Sequence, residues 1–438
     1  MAYQNTQTGH ESASEPRQEN ALSIPLEAYQ TRRASYFWER KLLQKLLEFA
    51  GSPPIQCELW DGSQVRLDNT SPRFTLGLTD PKALYHLVSN PNLSFGDLYS
   101  AGRLTVSGDL TELLDTLYQA TRQAESSWPA WLEKLWANHA PRSTDMGDAR
   151  QNIHHHYDLG NDFYRLWLDT AEMQYTCAYF ESADNTLEQA QLAKLEHVCR
   201  KLQLKPGMTV VEAGCGWGGL ARYMARNYGV NVHAYNISKE QLAFAREEAK
   251  RQGLDQQIDY VEDDYRNISG QYDAFVSVGM LEHVGTSHYD DMATVIKRSL
   301  KPDGLALLHS IGRNSPRKMN AWIEKRIFPG AYPPSIGEFV GICERGNFSV
   351  LDVENLRLHY AQTLEHWKDR FEAHVDEVTD MYDENFTRAW RLYLAGSISA
   401  FRTSSLQLFQ VVFSHADNNS VPRNRKHLYA SSAAPESV

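Results

Sequence analysis

Val211-Glu212-Ala213-Gly214-Cys215-Gly216-Trp217-Gly218-Gly219 is the stretch that decides the fold. It follows a short apolar run at 209–212 and leads into a helical pattern at 220–227, so the glycines fall in the turn between a strand and a helix. Further apolar runs at 230–235, 258–262, 272–278 and 305–311 alternate with helical patterns at 239–251 and 289–300. Ser238 and Gln241 have the S-x-x-Q spacing of a capping box at the start of the first of these. Strand–helix alternation at this spacing predicts an α/β fold with a doubly wound, Rossmann-like parallel sheet.

Gly214, Gly216 and Gly219 satisfy G-x-G-x-x-G, which by itself also suits a dinucleotide. That ligand needs a carboxylate about 20 residues on, at the end of the second strand, to hold a ribose hydroxyl. The sequence there is Ala234-Tyr235-Asn236, with no acid. Glu212 stands two residues before the first glycine, and Gly218 adds a fourth. An acid there can anchor the loop while glycines admit a bulky ligand, the arrangement of class I S-adenosylmethionine-dependent methyltransferases. The third strand ends in Glu262-Asp263-Asp264-Tyr265, which sets a carboxylate and an aromatic ring where an adenine would lie.

At 438 residues the chain is long enough for two domains. Residues 1–25 are polar, lack the apolar core of a signal peptide and are expected to be a disordered tail. Residues 26–123 form a first unit, a small N-terminal α+β accessory domain. It holds a helical pattern at 36–49 and a hairpin formed by 55–59 and 64–67 about Trp60-Asp61-Gly62, then helices at 81–89 and 109–121. The glycine-punctuated segment from Phe95 to Leu110 reads as structural. Residues 124–150, with Trp128, Trp131 and Trp136, read as a linker, 151–415 as the catalytic domain and 416–438 as a loose tail. From 363 to about 414 the pattern is helical.

No apolar run approaches the roughly 18–20 residues that span a bilayer. The five cysteines, Cys57, Cys177, Cys199, Cys215 and Cys343, are scattered and never in C-x-x-C spacing, which argues against a disulfide framework and a zinc site and for a cytoplasmic setting. His154, His155 and His156 are consecutive, so their side chains diverge rather than chelate one ion, and no metal is expected. A net charge of −11 argues against nucleic acid as the main partner, since phosphate binding needs a basic face.

With these pieces in place, the chain resembles the cyclopropane-fatty-acyl-phospholipid synthases and the related mycolic acid cyclopropane synthases and methyltransferases. The resemblance runs from about His154 to Phe413. Its motifs are His156-Tyr157-Asp158-Leu159-Gly160-Asn161-Asp162-Phe163-Tyr164, Met173-Gln174-Tyr175-Thr176-Cys177-Ala178-Tyr179-Phe180 and the glycine loop. Gly279-Met280-Leu281-Glu282-His283-Val284-Gly285, Leu308-His309-Ser310-Ile311-Gly312, Ile327-Phe328-Pro329-Gly330 and His359-Tyr360 continue it.

The resemblance implies a methylene bridge added across a cis double bond of a phospholipid acyl chain, from S-adenosylmethionine, through a carbocation deprotonated by bound bicarbonate. It assigns the bicarbonate to Cys177, Glu282, His309, Ile311 (through backbone) and Tyr360. It assigns the cofactor to Tyr175, Thr176, Glu212, Gly214, Gly216, Gly218, Gly219, Asn236, Gln241, Asp264 and Tyr265. Thr176, Glu212 and Asn236 stand where the family usually has serine, aspartate and threonine, and each keeps its hydrogen-bonding capacity. Pro333 replaces a common leucine, which bears on acyl-chain preference.

Membrane phospholipid as substrate implies peripheral association with the inner face of the membrane. The segment 313–328 interleaves Arg313, Arg317, Lys318, Lys325 and Arg326 with Met319, Trp322, Ile323, Ile327 and Phe328, and is read as the docking element. A homodimer through the N-terminal domain would let one site act while its partner grips the membrane. The competing readings are a lipid C-methyltransferase making methyl- or methylene-branched chains, a small-molecule N-methyltransferase, and a lipid-binding protein without activity.

Overall fold

The computed structural model describes residues 33–67, 72–125 and 159–429. The expected tail at 1–25, the tryptophans of the linker and His154–His156 lie outside them. The first unit comprises α1 (Phe37–Phe49), β1 (Ile55–Glu58), β2 (Gln64–Val65), β3 (Phe74–Leu78), α2 (Pro81–Ser89), α3 (Pro91–Ser100), β4 (Leu104–Ser107) and α4 (Leu110–Glu125). The alternation of Ile55 and Cys57 inward is that of a half-buried strand, and Cys57 pairs with Val65 across the expected antiparallel hairpin. The four strands lie in the order β2-β1-β3-β4.

The second unit begins with α5 (Asn161–Arg165) and α6 (Leu187–Lys201), then β5 (Thr209–Ala213), α7 (Gly219–Tyr228), β6 (Asn231–Asn236), α8 (Lys239–Arg251), β7 (Ile258–Glu262), β8 (Tyr272–Val278), α9 (Tyr289–Ser299) and β9 (Leu300–Gly312). It ends with α10 (Ile336–Gly346), β10 (Phe348–Asn355), α11 (Arg357–Ala373), α12 (Val375–Met381), α13 (Glu384–Arg402), β11 (Gln407–His415) and α14 (Lys426–Tyr429). The sheet has seven strands in the order β10-β11-β9-β8-β5-β6-β7. The five expected strands are parallel, and β11 runs antiparallel between β9 and β10. Helices cover both faces, so the central strands read as unbroken apolar runs rather than alternating ones.

Two expectations are corrected here. The helical reading of 363–414 fails at its end, because Gln407–His415 is a strand buried along almost its whole length. A short apolar run carries no periodicity that separates a buried strand from a helix. The capping box at Ser238 is only half made. Ser238 Oγ accepts from Gln241 N, but the Gln241 side chain accepts from Asn236 Nδ2 instead, and Asn236 Oδ1 takes the Ser238 N–H.

One apolar core runs through both units, from Leu43, Ile55 and Phe74 to Trp167, Trp390 and Phe401. α13 joins them: Arg388 Nε donates to Tyr99 O at 2.7 Å and Ser399 Oγ to Thr111 O at 3.0 Å. On α3, a side chain at Gly96 would overlap the Trp322 ring, while Asp97 pairs with Arg326 at 2.9 Å. The segment 313–328 is therefore only partly at the surface, where Arg317 and Lys318 are exposed. Trp322 and Ile327 are buried and Arg326 is held by Asp97; Lys325 remains at the surface. Its apolar residues serve the contact between units, a pattern that composition does not distinguish from a membrane face.

Candidate active site

The glycine loop crosses the carboxyl ends of β5 and β6, where open α/β sheets bind ligands. Gly214 N and Cys215 N both donate to Tyr235 O, at 2.9 and 3.0 Å, which folds the loop over the next strand. The glycines divide in purpose. Gly218, at φ +77°, lies so close to Tyr260 that a Cβ would overlap its hydroxyl, whereas a Cβ on Gly216 (φ +53°) would meet nothing within 4 Å. Of the four glycines in the loop, Gly216 alone combines a left-handed backbone with an open side, so it is the one at which a ligand can approach the main chain. Asn236 Nδ2 donates to Gly216 O at 3.2 Å and to Gln241 Oε1 at 2.9 Å, binding three of the proposed cofactor residues into one network. Asp264 is buried against Arg266, whose guanidinium it meets at 3.2 Å, and Tyr265 packs in the core beside it.

Glu212 points inward from β5 and is almost wholly buried. Burial raises its carboxyl to about 8, against the opposing fields of Lys194 and Arg222. Lys194, on α6, was not singled out from the sequence. Its ammonium is buried and reaches Gln174 Oε1 at 2.6 Å and Thr176 Oγ1 at 2.7 Å, fixing the loop that carries Tyr175. Burial lowers it to about 8, although Asp169, Cys177 and Glu212 pull the other way. A lysine four positions before Val198 on an amphipathic helix looks like a solvated residue, and only its neighbours make it a buried one.

The second cluster gathers at the ends of β8 and β9. Glu282 sits in a 3-10 turn at Leu281–His283, and its Oε1 accepts the Ile311 N–H at 2.6 Å. Burial raises this carboxyl to about 7 in spite of that bond. Its Oε2 is buried with no partner, and so is His309 Nε2. His309 is held neutral, its basicity depressed by burial first and then by the charges of Lys194 and Lys201.

Cys177 and Tyr360 lie on the other side of β11. The Cys177 thiol donates to Ala178 O at 3.1 Å and lies 3.8 Å from Leu356 O, the carbonyl that takes the backbone N–H of Tyr360 at 3.1 Å in the first turn of α11. Leu356 N in turn donates to Leu408 O, and Leu408 is the register partner of Ile311. Backbone hydrogen bonds thus link the start of α11, which carries Tyr360, through β11 to Ile311 on β9. Burial pushes the Cys177 thiol well above its ordinary value, which suits a lining residue and not a nucleophile.

An aromatic wall connects the two clusters. Trp217 of the glycine loop packs on Tyr164, Tyr164 on Tyr175, and the Tyr175 hydroxyl meets that of Tyr393 at 2.9 Å. Tyr393 packs on Phe328, and Phe328 on His283, next to Glu282. Such a wall excludes water, and its ring faces favour a cation.

Among the described residues Glu282 Oε2 and His309 Nε2 are each buried without a partner, which leaves each of them free to hydrogen-bond a small ligand such as bicarbonate. The Ile311 N–H, assigned to the same ligand, is already taken by Glu282 in this structure. The open backbone at Gly216, the network at Asn236 and the aromatic wall fit S-adenosylmethionine.

The family described as mycolic acid cyclopropane synthetase matches residues 144–411, and a domain of unknown function matches 42–127. A probable fatty acid methyltransferase of Pseudomonas putida is 37% identical over 391 residues, 86% of this chain and 96% of that protein. The cyclopropane-fatty-acyl-phospholipid synthase of Escherichia coli is 47% identical over 265 residues, 60% of this chain and 68% of its own length. Among solved structures, mycolic acid cyclopropane synthase CmaA1 complexed with SAH and CTAB is 32% identical with a TM-score of 0.57, covering 60% of this chain and 97% of that one.

Proposed function

This chain belongs to the mycolic acid cyclopropane synthetase family of S-adenosylmethionine-dependent methyltransferases, and from that premise we propose that it forms cyclopropane rings on cis double bonds of phospholipid acyl chains. The observation that carries this reading is Glu282 Oε2, buried without a partner among the described residues beside His283, where an aromatic wall that starts in the glycine loop ends; His309 Nε2, on β9, is likewise unpartnered.

When bound, S-adenosylmethionine supplies an electrophilic methyl group. Gly216, Asn236, Gln241, Asp264 and Tyr265 would hold its nucleoside end, with Tyr175 and Thr176 over the reacting end. The Lys194 ammonium fixes Thr176 and so the position of that loop. A bicarbonate held by Glu282 and His309, with Cys177 and Tyr360 lining its space, would supply the base for one proton of the new methyl. Glu282 can hold or release a proton at Oε2, since burial brings it to about 7. Tyr175, Tyr393 and Phe328 keep water from a cation on the acyl chain while offering it ring faces. Loss of a proton and ring closure then compete with capture by water, and the dry wall favours closure.

Because the acyl chains are those of a bilayer, the enzyme would work at a membrane surface; among the described residues no helix is long and apolar enough to cross one. The test is product identification after incubating the purified protein with S-adenosylmethionine and vesicles of unsaturated phospholipid. Chromatographic retention against standards separates a ring from a methylene branch of equal mass. A cyclopropane acyl chain supports the reading. A methyl- or methylene-branched chain would move the enzyme to the lipid C-methyltransferases; the Pseudomonas putida relative is named a probable fatty acid methyltransferase. Turnover of a soluble amine with none on vesicles would replace it with an N-methyltransferase.

A further inference from the structure

His309 does not stand alone on β9. Its register partner on β11 is Gln410, and the register partner of Gln410 on β10 is Glu354, so the three side chains form a row across three strands. Gln410 Nε2 lies 3.0 Å from His309 Nδ1. Lys201, the last residue of α6, reaches into the row, with Nζ 2.7 Å from Gln410 Oε1 and 2.6 Å from Glu354 Oε2. His197, one turn earlier, meets the same Glu354 oxygen at 2.7 Å. His309, Gln410 and Lys201 are almost wholly buried, so water does not compete for these bonds.

The row has only one consistent polarity. An ammonium donates and never accepts, so the atom of Gln410 that faces Lys201 is its carbonyl oxygen. The amide NH2 then faces His309, and because it too can only donate, Nδ1 must carry the lone pair. A neutral imidazole with a free lone pair on Nδ1 has its proton on Nε2, the atom that meets no partner among the described residues. Glu354 anchors the far end: against the cost of burial, His197 and the Lys201 charge hold it ionised, at about 2.

We propose that Gln410 and Lys201 are positioning residues that lock His309 as its Nε2–H tautomer, so that it presents a hydrogen-bond donor, and not a base, to a small ligand at its Nε2. This deepens the cyclopropanation reading and rests on it for the site, while the tautomer itself is independent of turnover. It divides the labour: His309 holds an acceptor atom of the ligand, and Glu282 is left as the side chain that takes up a proton.

The wild-type protein labelled with 15N at histidine reports the tautomer directly through two-bond 15N–1H correlations, with His309 assigned by its loss in His309→Gln. The Nε2–H pattern is expected across the neutral range. Gln410→Glu is nearly isosteric, keeps a partner for Lys201 and accepts from Nδ1–H, so it should switch His309 to the Nδ1–H form. In serine hydrolases a wrong tautomer costs about 10⁴ in kcat, and here a loss of at least about tenfold is expected, with KM for S-adenosylmethionine within about twofold. Lys201→Met should give a mixture of tautomers and an intermediate kcat. An Nδ1–H pattern in the wild type overturns the proposal. So does a Gln410→Glu protein that switches tautomer at unchanged kcat, or that loses kcat without switching. If the wild type shows Nε2–H but forms no lipid product from vesicles, the functional reading has failed and the lock has not.

Discussion

Glu282 Oε1 accepts the Ile311 N–H at 2.6 Å, tying the turn after β8 to the end of β9, while the other oxygen of the same carboxyl is buried and unpartnered. One half of the group is structural and the other is left for chemistry. Glutamine at this position keeps the acceptor toward Ile311 and loses the titrating oxygen. Glu282→Gln should therefore fold, bind S-adenosylmethionine within a few-fold of wild type, and lose about 10²–10⁴ in kcat. Release of S-adenosylhomocysteine in the presence of unsaturated vesicles measures it, and a loss under tenfold would remove Glu282 from the proton transfer.

The same carboxyl makes stability depend on pH. Burial holds it at about 7 in the folded chain against an ordinary value of 4.5, so folding takes up a proton between those limits. The unfolded chain binds fewer protons there, and stability must fall as pH rises through the window. The contribution is full below 4.5 and gone above about 7, an upper bound of roughly 3 kcal/mol. Denaturant midpoints at pH 5 and pH 7.5 should differ less in Glu282→Gln than in wild type. Equal differences would place the proton elsewhere.

The glycine loop offers a paired test. Gly218→Ala meets both a left-handed φ and the Tyr260 hydroxyl, so it should cost about 2–4 kcal/mol in unfolding free energy. Gly216→Ala meets only the φ penalty, about 1 kcal/mol, and should act mainly on ligand binding. Calorimetric titration of S-adenosylmethionine alongside thermal melts separates the two. Comparable affinity losses with comparable melting shifts would mean that Gly216 has no special approach to the ligand.

All five cysteines are free and buried. Burial raises the thiols of Cys57, Cys177, Cys199, Cys215 and Cys343, which leaves little thiolate at neutral pH. Ellman titration at pH 7.5 should find fewer than one reactive thiol per native chain and all five in denaturant. Rapid labelling of Cys177 in the native protein would reopen a nucleophilic role.

Trp322 and Lys325 separate packing from surface charge. Trp322 is buried against Gly96, and Trp322→Ala should lose about 3–5 kcal/mol of stability. Lys325 is exposed, and Lys325→Glu should leave stability within about 0.5 kcal/mol. Cosedimentation with anionic vesicles then isolates the electrostatic part of membrane binding. If Lys325→Glu binds as well as wild type at low salt, docking uses another surface.

Most of the catalytic sheet was legible because its signals are local. The strand at 209–213, the glycines after it and the helix from Gly219 each follow from residues a few positions apart. β11 was not, because its eight-residue buried run follows a long helix and carries no period of its own. Glu282, Ile311 and His309 could be named through a resemblance, but nothing in their spacing told that Glu282 would spend one oxygen on Ile311.

What the sequence determined by itself was the α/β order, the loop that suits S-adenosylmethionine and the absence of an acid at Asn236, since dihedral preference and apolar period are properties of neighbouring residues. What the tertiary structure decided was which charges are buried and which way their hydrogen bonds run. Lys194 and Lys201 look like ordinary helical lysines until the loop with Gln174 and Thr176 takes up the first and β10 and β11, far along the chain, take up the second. Gln410 is 101 residues from His309 and 209 from Lys201, yet together they decide which nitrogen of one imidazole holds its proton. The reason is physical: donor and acceptor roles become fixed only where water is excluded, and exclusion of water depends on the packing of distant elements.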